Sequence, residues 1–270
     1  MAPIEPVIAP PPPPSTDVFR NDIFKNKVLF CTGGGSGICK SMTEAIMRHG
    51  ASATIVGRKL DRLEATAKEL STATGQRCIT AQADVRSPEQ LKAAVAKTVE
   101  TFGKIDFVIC GAAGNFLAPI SGLSENAFRT VIEIDTLGTF NTVKATLSHI
   151  RQSRGSYIHV SALLHHQGTP YQAHVSAAKA GVDALSAVIA VEEGPRGVRS
   201  NVISPGPIGD TEGMNRLAAT DPSIRIADHI PLGRYGDKRD VANMAVFLFS
   251  DAANWVTGQV MVRPTYSLCR

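Results

Sequence analysis

The sequence lacks long apolar runs and blocks of like charge, and its first residues are not expected to act as a signal peptide. Its longest stretch without charged residues or histidine, Phe107–Ser124, contains three glycines and a proline, so it predicts a strand followed by a loop and no membrane span. The 28 basic and 24 acidic residues are scattered and give a formal charge of +4, which argues against a nucleic-acid partner. The first residues have neither the basic start nor the unbroken apolar run of a signal peptide.

Paired cysteines are also lacking. The cysteines are odd in number, form no C-x-x-C motif and mostly lie in apolar, strand-like runs. They are Cys31, Cys39, Cys78, Cys110 and Cys269. This usage predicts free thiols in a reducing compartment and excludes a disulfide-stabilised secreted fold.

The sequence is rich in proline at its start, and apolar residues are spread along the rest of it. Seven of the first fourteen residues are proline, which predicts a polyproline-type tail over residues 1–18, outside the fold. Hydrophobic residues make up 43% of the chain, enough for one large buried core. We therefore expect a single domain over residues 19–262, followed by a short tail at residues 263–270.

Short apolar runs alternate with longer helical stretches from Lys27 onward. The predicted strands are Val28–Thr32, Ala53–Val56, Arg77–Ala81, Ile105–Cys110, Ser156–Val160, Arg199–Ile203 and Gln259–Val262. The predicted helices are Gly37–Gly50, Lys59–Thr74, Pro88–Gly103, Glu125–Ser153, Tyr171–Gly194 and Lys238–Ser250. Such alternation predicts an α/β fold, a Rossmann-like doubly wound domain with a parallel sheet of about seven strands flanked by helices. The stretch Ser204–Leu232 falls outside this rhythm and is predicted to be a loop over the substrate.

A glycine-rich string follows the first predicted strand directly and leads into a helix. It reads Thr32-Gly33-Gly34-Gly35-Ser36-Gly37-Ile38-Cys39. Backbone N–H groups and the helix dipole converge at such a junction, so the string predicts a site for the pyrophosphate of a dinucleotide. Its candidate binding residues are Gly33, Gly35, Ser36, Gly37 and Ile38. A plain surface turn is the alternative, and the spacing differs from the G-x-G-x-x-G pattern.

The end of the second predicted strand indicates which dinucleotide is bound. Arg58 stands where an NAD site has an acidic residue on the ribose, and a guanidinium pairs well with a 2′-phosphate. We therefore predict NADP(H), with a solvated helix start as the alternative reason for these cations. Asp84, after the third strand, is a candidate for contacting the adenine amino group, with a helix cap or turn as its alternative role.

Further motifs accompany the glycine-rich string. They are Asp84-Val85, Gly111-Ala112-Ala113-Gly114, Lys179 and Asn201-Val202-Ile203-Ser204-Pro205-Gly206-Pro207-Ile208. From Phe19 to Val262 the sequence resembles the short-chain dehydrogenase/reductases. Two positions depart from that family's pattern: Val175 stands where the family has its tyrosine, and Asp135 replaces the family's helix asparagine.

Several motifs resemble one subgroup of that family, the peroxisomal 2,4-dienoyl-CoA reductases. They are Gly114-Asn115-Phe116, Ile134-Asp135-Thr136, His174-Val175-Ser176-Ala177-Ala178-Lys179 and Thr211-Glu212-Gly213. The resemblance implies NADPH-dependent reduction of a 2,4-dienoyl-CoA to a 3-enoyl-CoA in the β-oxidation of unsaturated fatty acids. It also implies a peroxisomal homotetramer with contacts through Glu125–Ser153 and Tyr171–Gly194. The end of the chain resembles no peroxisomal signal, so a cytoplasmic location is the alternative.

The resemblance further implies which residues bind and react. Val85, Ala112, Lys179, Pro205, Gly206 and Ile208 would join the cofactor site. Asp135, Lys179 and Ser161 are the expected catalytic residues. Lys179 and Ser161 would stabilise a dienolate, and Asp135 would orient Lys179 and relay a proton. Each assignment has an alternative: Lys179 as a surface lysine, Asp135 as half of a purely structural Asp–Lys pair, and Ser161 as a hydroxyl that only ends a strand.

Substrate contacts are implied for a second set of residues, whose cations suit CoA phosphates and whose aromatic ring suits an acyl chain. They are Arg58, Arg86, Phe116, Ser124, Asn126 and Arg216. His165, His166 and His174 raise the question of a metal site. We expect none, because adjacent histidines on a loop lack the usual ligand spacing and a carboxylate or cysteine partner.

Two features depart from the family pattern outside the catalytic residues. Cys39 occupies the third glycine position of the string, which predicts weakened cofactor affinity. Residues 263–270 resemble nothing in the family, whose C-terminal segment helps to build subunit contacts and borders the substrate site. Two other functions therefore stay open, a carbonyl or alcohol reductase and a catalytically inactive NADP-binding scaffold.

Overall fold

The structure is a computed structural model that describes residues 14–211 and 230–262. Within them, seven strands form one parallel sheet in the order β3-β2-β1-β4-β5-β6-β7. The strands are β1 Val28–Thr32, β2 Ser52–Gly57, β3 Cys78–Gln82, β4 Phe107–Cys110, β5 Ser156–Val160, β6 Arg199–Ser204 and β7 Val260–Val262. The predicted α/β fold is confirmed, and each observed strand overlaps its predicted segment.

Helices cover both faces of this sheet. In the described ranges they are α1 Gly37–Arg48, α2 Leu60–Thr74, α3 Pro88–Phe102, α4 Glu125–Ile132, α5 Gly138–Ser153, α6 Leu164–Gln167, α7 Ala173–Glu193 and α8 Lys238–Phe249. Successive residues of β1 point to opposite faces: Leu29 and Cys31 join the core under α1, α2 and α8, while Phe30 joins the core under α3 and α5. The central strands β1, β2 and β4 are mainly apolar because both of their faces are buried.

The predicted helix Glu125–Ser153 is not continuous. A π-helical turn, Glu133–Leu137, separates α4 from α5. The backbone comes close to its neighbours here, since a Cβ at Gly138 would lie 2.5 Å from Val85 Cγ2. π turns are rare within α-helices and frequently occur at functional sites. This one carries Asp135.

The folded domain begins earlier than predicted. Ser15–Asp17 form a 3-10 helix, Ser15 is buried, and its hydroxyl lies 2.9 Å from Nε2 of the buried His49. Residues 15–18 therefore belong to the fold and not to the tail, because the imidazole needs a polar partner that Ser15 provides. The rest of the proline-rich tail, the segment 263–270 with Cys269, and residues 212–229 of the predicted loop lie outside the described residues.

The segment Ala173–Arg196, which contains α7, is long and apolar enough to cross a membrane by length and composition alone. Its apolar character has a cause in the fold, since α7 packs against β6, α4 and the π turn. The same helix also buries the polar side chains of His174 and Lys179. It is a helix of the folded core.

Candidate active site

A cleft of about 460 Å³ opens at the carboxyl ends of β1, β2 and β4. Its lining includes Gly33, Gly35, Ser36, Gly37, Ile38, Arg58, Asp84, Val85 and Ala112, all predicted cofactor residues. Backbones approach each other closely here: a Cβ at Gly33, whose φ is +73°, would lie 2.7 Å from the carbonyl oxygen of Gly111. Because α1 begins at Gly37, the cleft has the helix N-terminus that binds a pyrophosphate.

Cys39 fits at the third glycine position because the residue that faces it, Gly111, has no side chain. Its Sγ fills the space in which Gly111 would carry a Cβ, and it lies 3.7 Å from the carbonyl oxygen of Gly111. The close packing that the third glycine usually permits is therefore retained, with the glycine now on the facing segment. Sequence analysis missed this relationship because the two residues lie on different elements.

Arg58 is exposed at the rim of the cleft. Within residues 14–211 and 230–262 its guanidinium makes no ion pair or hydrogen bond, so it is free to bind an anion. Asp84 differs, because its carboxylate contacts Arg86 at 2.6 Å and this hydrogen-bonded pair holds the pKa of Asp84 below its usual range. The structure thus joins two residues that sequence analysis assigned to different ligands, adenine and CoA.

Asp135 and Lys179 form the polar centre of a second part of the site. The Lys179 ammonium lies 2.8 Å from Asp135 Oδ1, and Asp135 Oδ2 accepts a hydrogen bond from the N–H of Gly114 at 2.8 Å. Lys179 also donates a hydrogen bond to the carbonyl of Val160 at 2.9 Å. The side chains of Asp135 and Lys179 are 0% and 6% exposed. Either charge alone would be costly to bury, so each requires the other.

A close helix contact sets the geometry of this pair. A Cβ at Gly181 of α7 would lie 2.8 Å from Thr136 Cγ2, and the Thr136 hydroxyl donates a hydrogen bond to the carbonyl of Ala178 at 2.9 Å. The π turn therefore packs directly on α7. This contact brings Asp135 within reach of Lys179.

Ser161 follows β5, directly after the carbonyl that Lys179 binds. Its hydroxyl is buried and has no hydrogen-bond partner in the described part of the chain. Buried hydroxyl groups in proteins are mostly paired. The Ser161 hydroxyl is therefore available to an oxygen atom of a ligand.

The position of the family's tyrosine is filled by an apolar contact. Val175 is 2% exposed and packs with Val131 and Ala178. The preceding His174 is buried, and its ring centroid lies 4.3 Å from that of Phe116. Burial lowers the pKa of His174, which favours the neutral imidazole, while nearby Asp135 acts in the opposite direction. Sequence analysis considered His174 only as a metal ligand and missed its place beside Asp135.

An apolar groove of about 550 Å³ lies along α4. It is lined by Ile120, Leu123, Ser124, Glu125, Phe128, Arg129, Ile132 and Ala173. Ser124 also has a structural role, since its Oγ accepts a hydrogen bond from the N–H of Ala127 at the start of α4. Of the other predicted substrate residues, Asn126 is exposed and is not part of this lining, and Arg216 lies outside the described residues.

Four predicted cofactor residues do not line the cleft: Lys179, which pairs with Asp135, and Pro205, Gly206 and Ile208. Gly206 and Ile208 line a small separate pocket, and the Ile208 side chain packs into the core. Pro205 is buried at the end of β6. The cause is a β-bridge between Ile208 and Gly236, which fixes this segment against the loop before α8. That Pro205, Gly206 and Ile208 bind the cofactor stays a prediction.

One of the two reasons for expecting no metal at the histidines, the lack of a carboxylate partner, is wrong. His165 Nε2 lies 2.9 Å from Oδ2 of Asp183. The histidines therefore do have a carboxylate partner. Sequence analysis could not detect it because Asp183 comes from α7, whereas His165 and His166 lie on α6.

Known proteins resemble this chain over most of its length. A family profile described as "Enoyl-(Acyl carrier protein) reductase" matches residues 33–263. The peroxisomal 2,4-dienoyl-CoA reductase, (3E)-enoyl-CoA-producing, of Saccharomyces cerevisiae is 51% identical over 247 residues, which is 90% of this chain and 85% of that protein. The protein of the same description from Danio rerio is 45% identical over 249 residues, 92% and 83% of the two chains. Among solved structures, a short chain dehydrogenase from Bacillus anthracis has a TM-score of 0.79 at 34% identity, covering 89% of this chain and 95% of that chain.

Proposed function

The chain belongs to the short-chain dehydrogenase/reductase family, and from this premise we propose that it uses NADPH to reduce a 2,4-dienoyl-CoA to a 3-enoyl-CoA. It is an oxidoreductase whose fold and relatives imply a nicotinamide cofactor. The observation that carries the proposed reaction is the buried Asp135–Lys179 pair, combined with valine at position 175.

The absence of an acid at position 175 favours a conjugated thioester over a ketone as the substrate. A ketone reductase must protonate an alkoxide, which requires a positioned acid, and the Val175 side chain has no proton to give. In a dienoyl thioester, hydride addition to the distal carbon moves negative charge to the thioester oxygen. That charge requires hydrogen-bond donors near the oxygen, and protonation takes place at carbon.

The buried polar groups supply these donors. We assign to Lys179 and Ser161 the hydrogen bonds to the thioester oxygen, because the Lys179 ammonium lies at the end of β5 and the Ser161 hydroxyl is unpaired there. Asp135 orients Lys179 and relays the proton to the α carbon. Neutral His174 and Phe116 border the acyl group on the side of this pair.

Two observations support NADP(H) as the cofactor. The close backbone approach at Gly33 forms a cradle that any side chain would fill, and Arg58 presents an unpaired guanidinium at its rim. Arg58 would bind the 2′-phosphate and Lys179 the nicotinamide ribose. When bound, the nicotinamide supplies the hydride.

The apolar groove along α4 supports a substrate whose acyl part is a long hydrocarbon chain. Phe116 and the groove would hold the hydrocarbon, and Ser124 would lie beside it. The exposed cations Arg58 and Arg86 would meet the CoA phosphates, Arg86 after release from Asp84.

Assembly and location follow the relatives. Large apolar side chains are exposed on the π turn, α5 and α7: Leu137, Phe140, Val188 and Val191. Such a surface supports a homo-oligomer, which we propose to be a tetramer. The names of the relatives support a peroxisomal location. Light scattering of the purified chain and fractionation of cells from its source test these two proposals.

The experiment that tests the proposed function follows NADPH oxidation with a panel of substrates. We expect turnover of 2,4-hexadienoyl-CoA, no turnover of simple ketones, and formation of a 3-enoyl-CoA. Turnover of ketones alone would replace the proposal with a carbonyl reductase. Tight NADPH binding without turnover of any dienoyl-CoA would indicate an inactive binding scaffold.

A further inference from the structure

Three metal-ligating side chains converge away from the cofactor cleft and the apolar groove. His165 Nε2 and His166 Nε2 lie 2.9 Å and 3.9 Å from Oδ2 of Asp183. Ligand atoms of all three residues lie within 4.8 Å of one another. The proposed reaction makes no use of these groups.

The polar atoms of two members of this cluster, His165 and Asp183, are buried and unsatisfied. Both ring nitrogens of His165 and both carboxylate oxygens of Asp183 lack a hydrogen-bond partner among the residues that the structure describes. The 2.9 Å contact is therefore close but is not aligned as a hydrogen bond. Buried polar groups without partners are costly, and a cation shared between the imidazole nitrogen and the carboxylate oxygens would satisfy them.

The geometry suits a small tetrahedral ion. Metal–ligand bonds of about 2.0–2.2 Å in a tetrahedral site separate the ligand atoms by roughly 3.4 Å. The two observed separations, 2.9 Å and 3.9 Å, lie on either side of that value, so small side-chain rotations suffice. His165 and Asp183 are 14% and 12% exposed, whereas His166 is 46% exposed, which leaves an entry path and room for water as a fourth ligand.

We propose that His165, His166 and Asp183 bind one divalent transition-metal ion of the zinc type. Two imidazoles and one carboxylate favour such an ion over Mg²⁺ or Ca²⁺, which prefer oxygen ligands. The ion would tie α6 to α7. Asp183 follows Lys179 by one helical turn on the same face, so the tie would stabilise the helix that carries the catalytic lysine.

The test is calorimetric titration of the chelator-treated full chain with ZnCl₂ and, in parallel, with MgCl₂. We expect one Zn²⁺ per chain and no measurable Mg²⁺ binding. His166→Asn and Asp183→Asn should each weaken Zn²⁺ binding roughly 100-fold or more, since even outer partners of metal ligands change the affinity by about 10–100-fold. His149→Asn, on α5, is the matched control and should bind Zn²⁺ as the unmodified chain does.

A second readout identifies the ligand atoms. Co²⁺ in place of Zn²⁺ should show the visible absorption of a tetrahedral nitrogen and oxygen site, without thiolate charge-transfer bands. His166→Asn is the variant least able to disturb the fold because His166 is the most exposed of the three. Unchanged Zn²⁺ affinity in folded His166→Asn and Asp183→Asn, thiolate bands with Co²⁺, or no binding to the unmodified chain would each overturn the proposal. None of these results depends on the substrate of the enzyme.

Discussion

The ammonium of Lys179 lies 2.8 Å from the carboxylate of Asp135 in a part of the protein where both side chains are almost fully buried. The two residues come from different elements, α7 and the π turn, and no other ion pair among the described residues is as deeply buried. An ammonium held in this way keeps one position and one direction. The groups that hold the Lys179 ammonium, Asp135 and the carbonyl of Val160, therefore determine where it can donate a hydrogen bond to a ligand.

Loss of the Asp135 charge should reduce turnover, and it should also lower stability because the buried Lys179 ammonium loses its partner. Asp135→Asn has nearly the same shape and can still accept the hydrogen bond from Gly114, but it can neither balance Lys179 nor relay a proton. We expect kcat with 2,4-hexadienoyl-CoA to fall by about 100-fold or more, with little change in the Kd of NADPH. Steady-state kinetics and fluorescence titration measure the two effects, and Asp61→Asn on the exposed face of α2 is the control.

The same pair permits a test of coupling. Lys179→Ala should impair both turnover and NADPH binding, and addition of Asp135→Asn should make the protein little worse, because two members of one catalytic unit give non-additive effects. Losses that multiply in the double variant would mean that the two residues act independently. Near-normal turnover in folded Asp135→Asn would leave Asp135 with an architectural role.

Arg58 should determine the choice between NADPH and NADH. Arg58→Asp replaces the partner of the 2′-phosphate with a repulsive carboxylate, so the preference for NADPH should be lost or reversed. Comparison of kcat/KM for the two cofactors measures this effect. Lys97→Asp makes the same change of charge at an exposed position of α3, and this variant should retain the preference for NADPH. Equal use of both cofactors by the unmodified enzyme would contradict the role given to Arg58.

Cys39 and Gly111 should show compensation. Gly111→Ala forces a methyl group into the space of Cys39 Sγ, and overpacking of this kind costs about 1–3 kcal/mol. Cys39→Ala removes the sulfur and should restore most of the stability and NADPH affinity of Gly111→Ala. Urea unfolding of the four proteins of this cycle gives the coupling free energy. A coupling near zero would show that the sulfur and the glycine are unrelated.

His159 should make the protein less stable as the pH falls. Burial lowers its pKa to about 3, whereas a histidine in the unfolded chain titrates near pH 6.5. Between these values the unfolded state binds the extra proton, so the free energy of unfolding decreases with falling pH by up to about 1.4 kcal/mol per pH unit. His159→Gln can keep the contact with Ser200 but does not titrate. Urea unfolding from about pH 7 to pH 5 should show a smaller slope for this variant.

The sheet could be predicted from the sequence because β1, β2 and β4 are mainly apolar runs buried on both faces, and helical stretches alternate with all seven strands. β1, for example, spans the predicted residues Val28–Thr32. The π turn could not be predicted, since the same residues form an α-helix unless a neighbouring element favours the wider turn. Here that element is α7, with Gly181 against Thr136.

The residues of the site were predictable as types, and the family resemblance also predicted that Asp135 contacts Lys179, but the other partners could not be predicted. Asp135, Lys179 and the glycines were found because their motifs are contiguous or resemble a family. The pairs Cys39–Gly111 and His165–Asp183 each join distant parts of the chain, and periodicity contains no signal for such contacts. The ion pair of Asp84 and Arg86 is local, but its side-chain geometry depends on how the loop after β3 folds.

The π turn also determines whether the protein tolerates the substitution or the deletion of a residue in this region. A π turn contains one more residue than an α turn, so α4 and α5 are out of phase with each other by about 100°. Exchange of one residue for another in α4 would alter the groove and leave Asp135 in place. Loss of a single residue from Glu133–Leu137 would instead rotate α4 about its axis and carry the groove-lining residues away from the site. At this point of the chain, therefore, the protein tolerates a change of length less well than a change of composition.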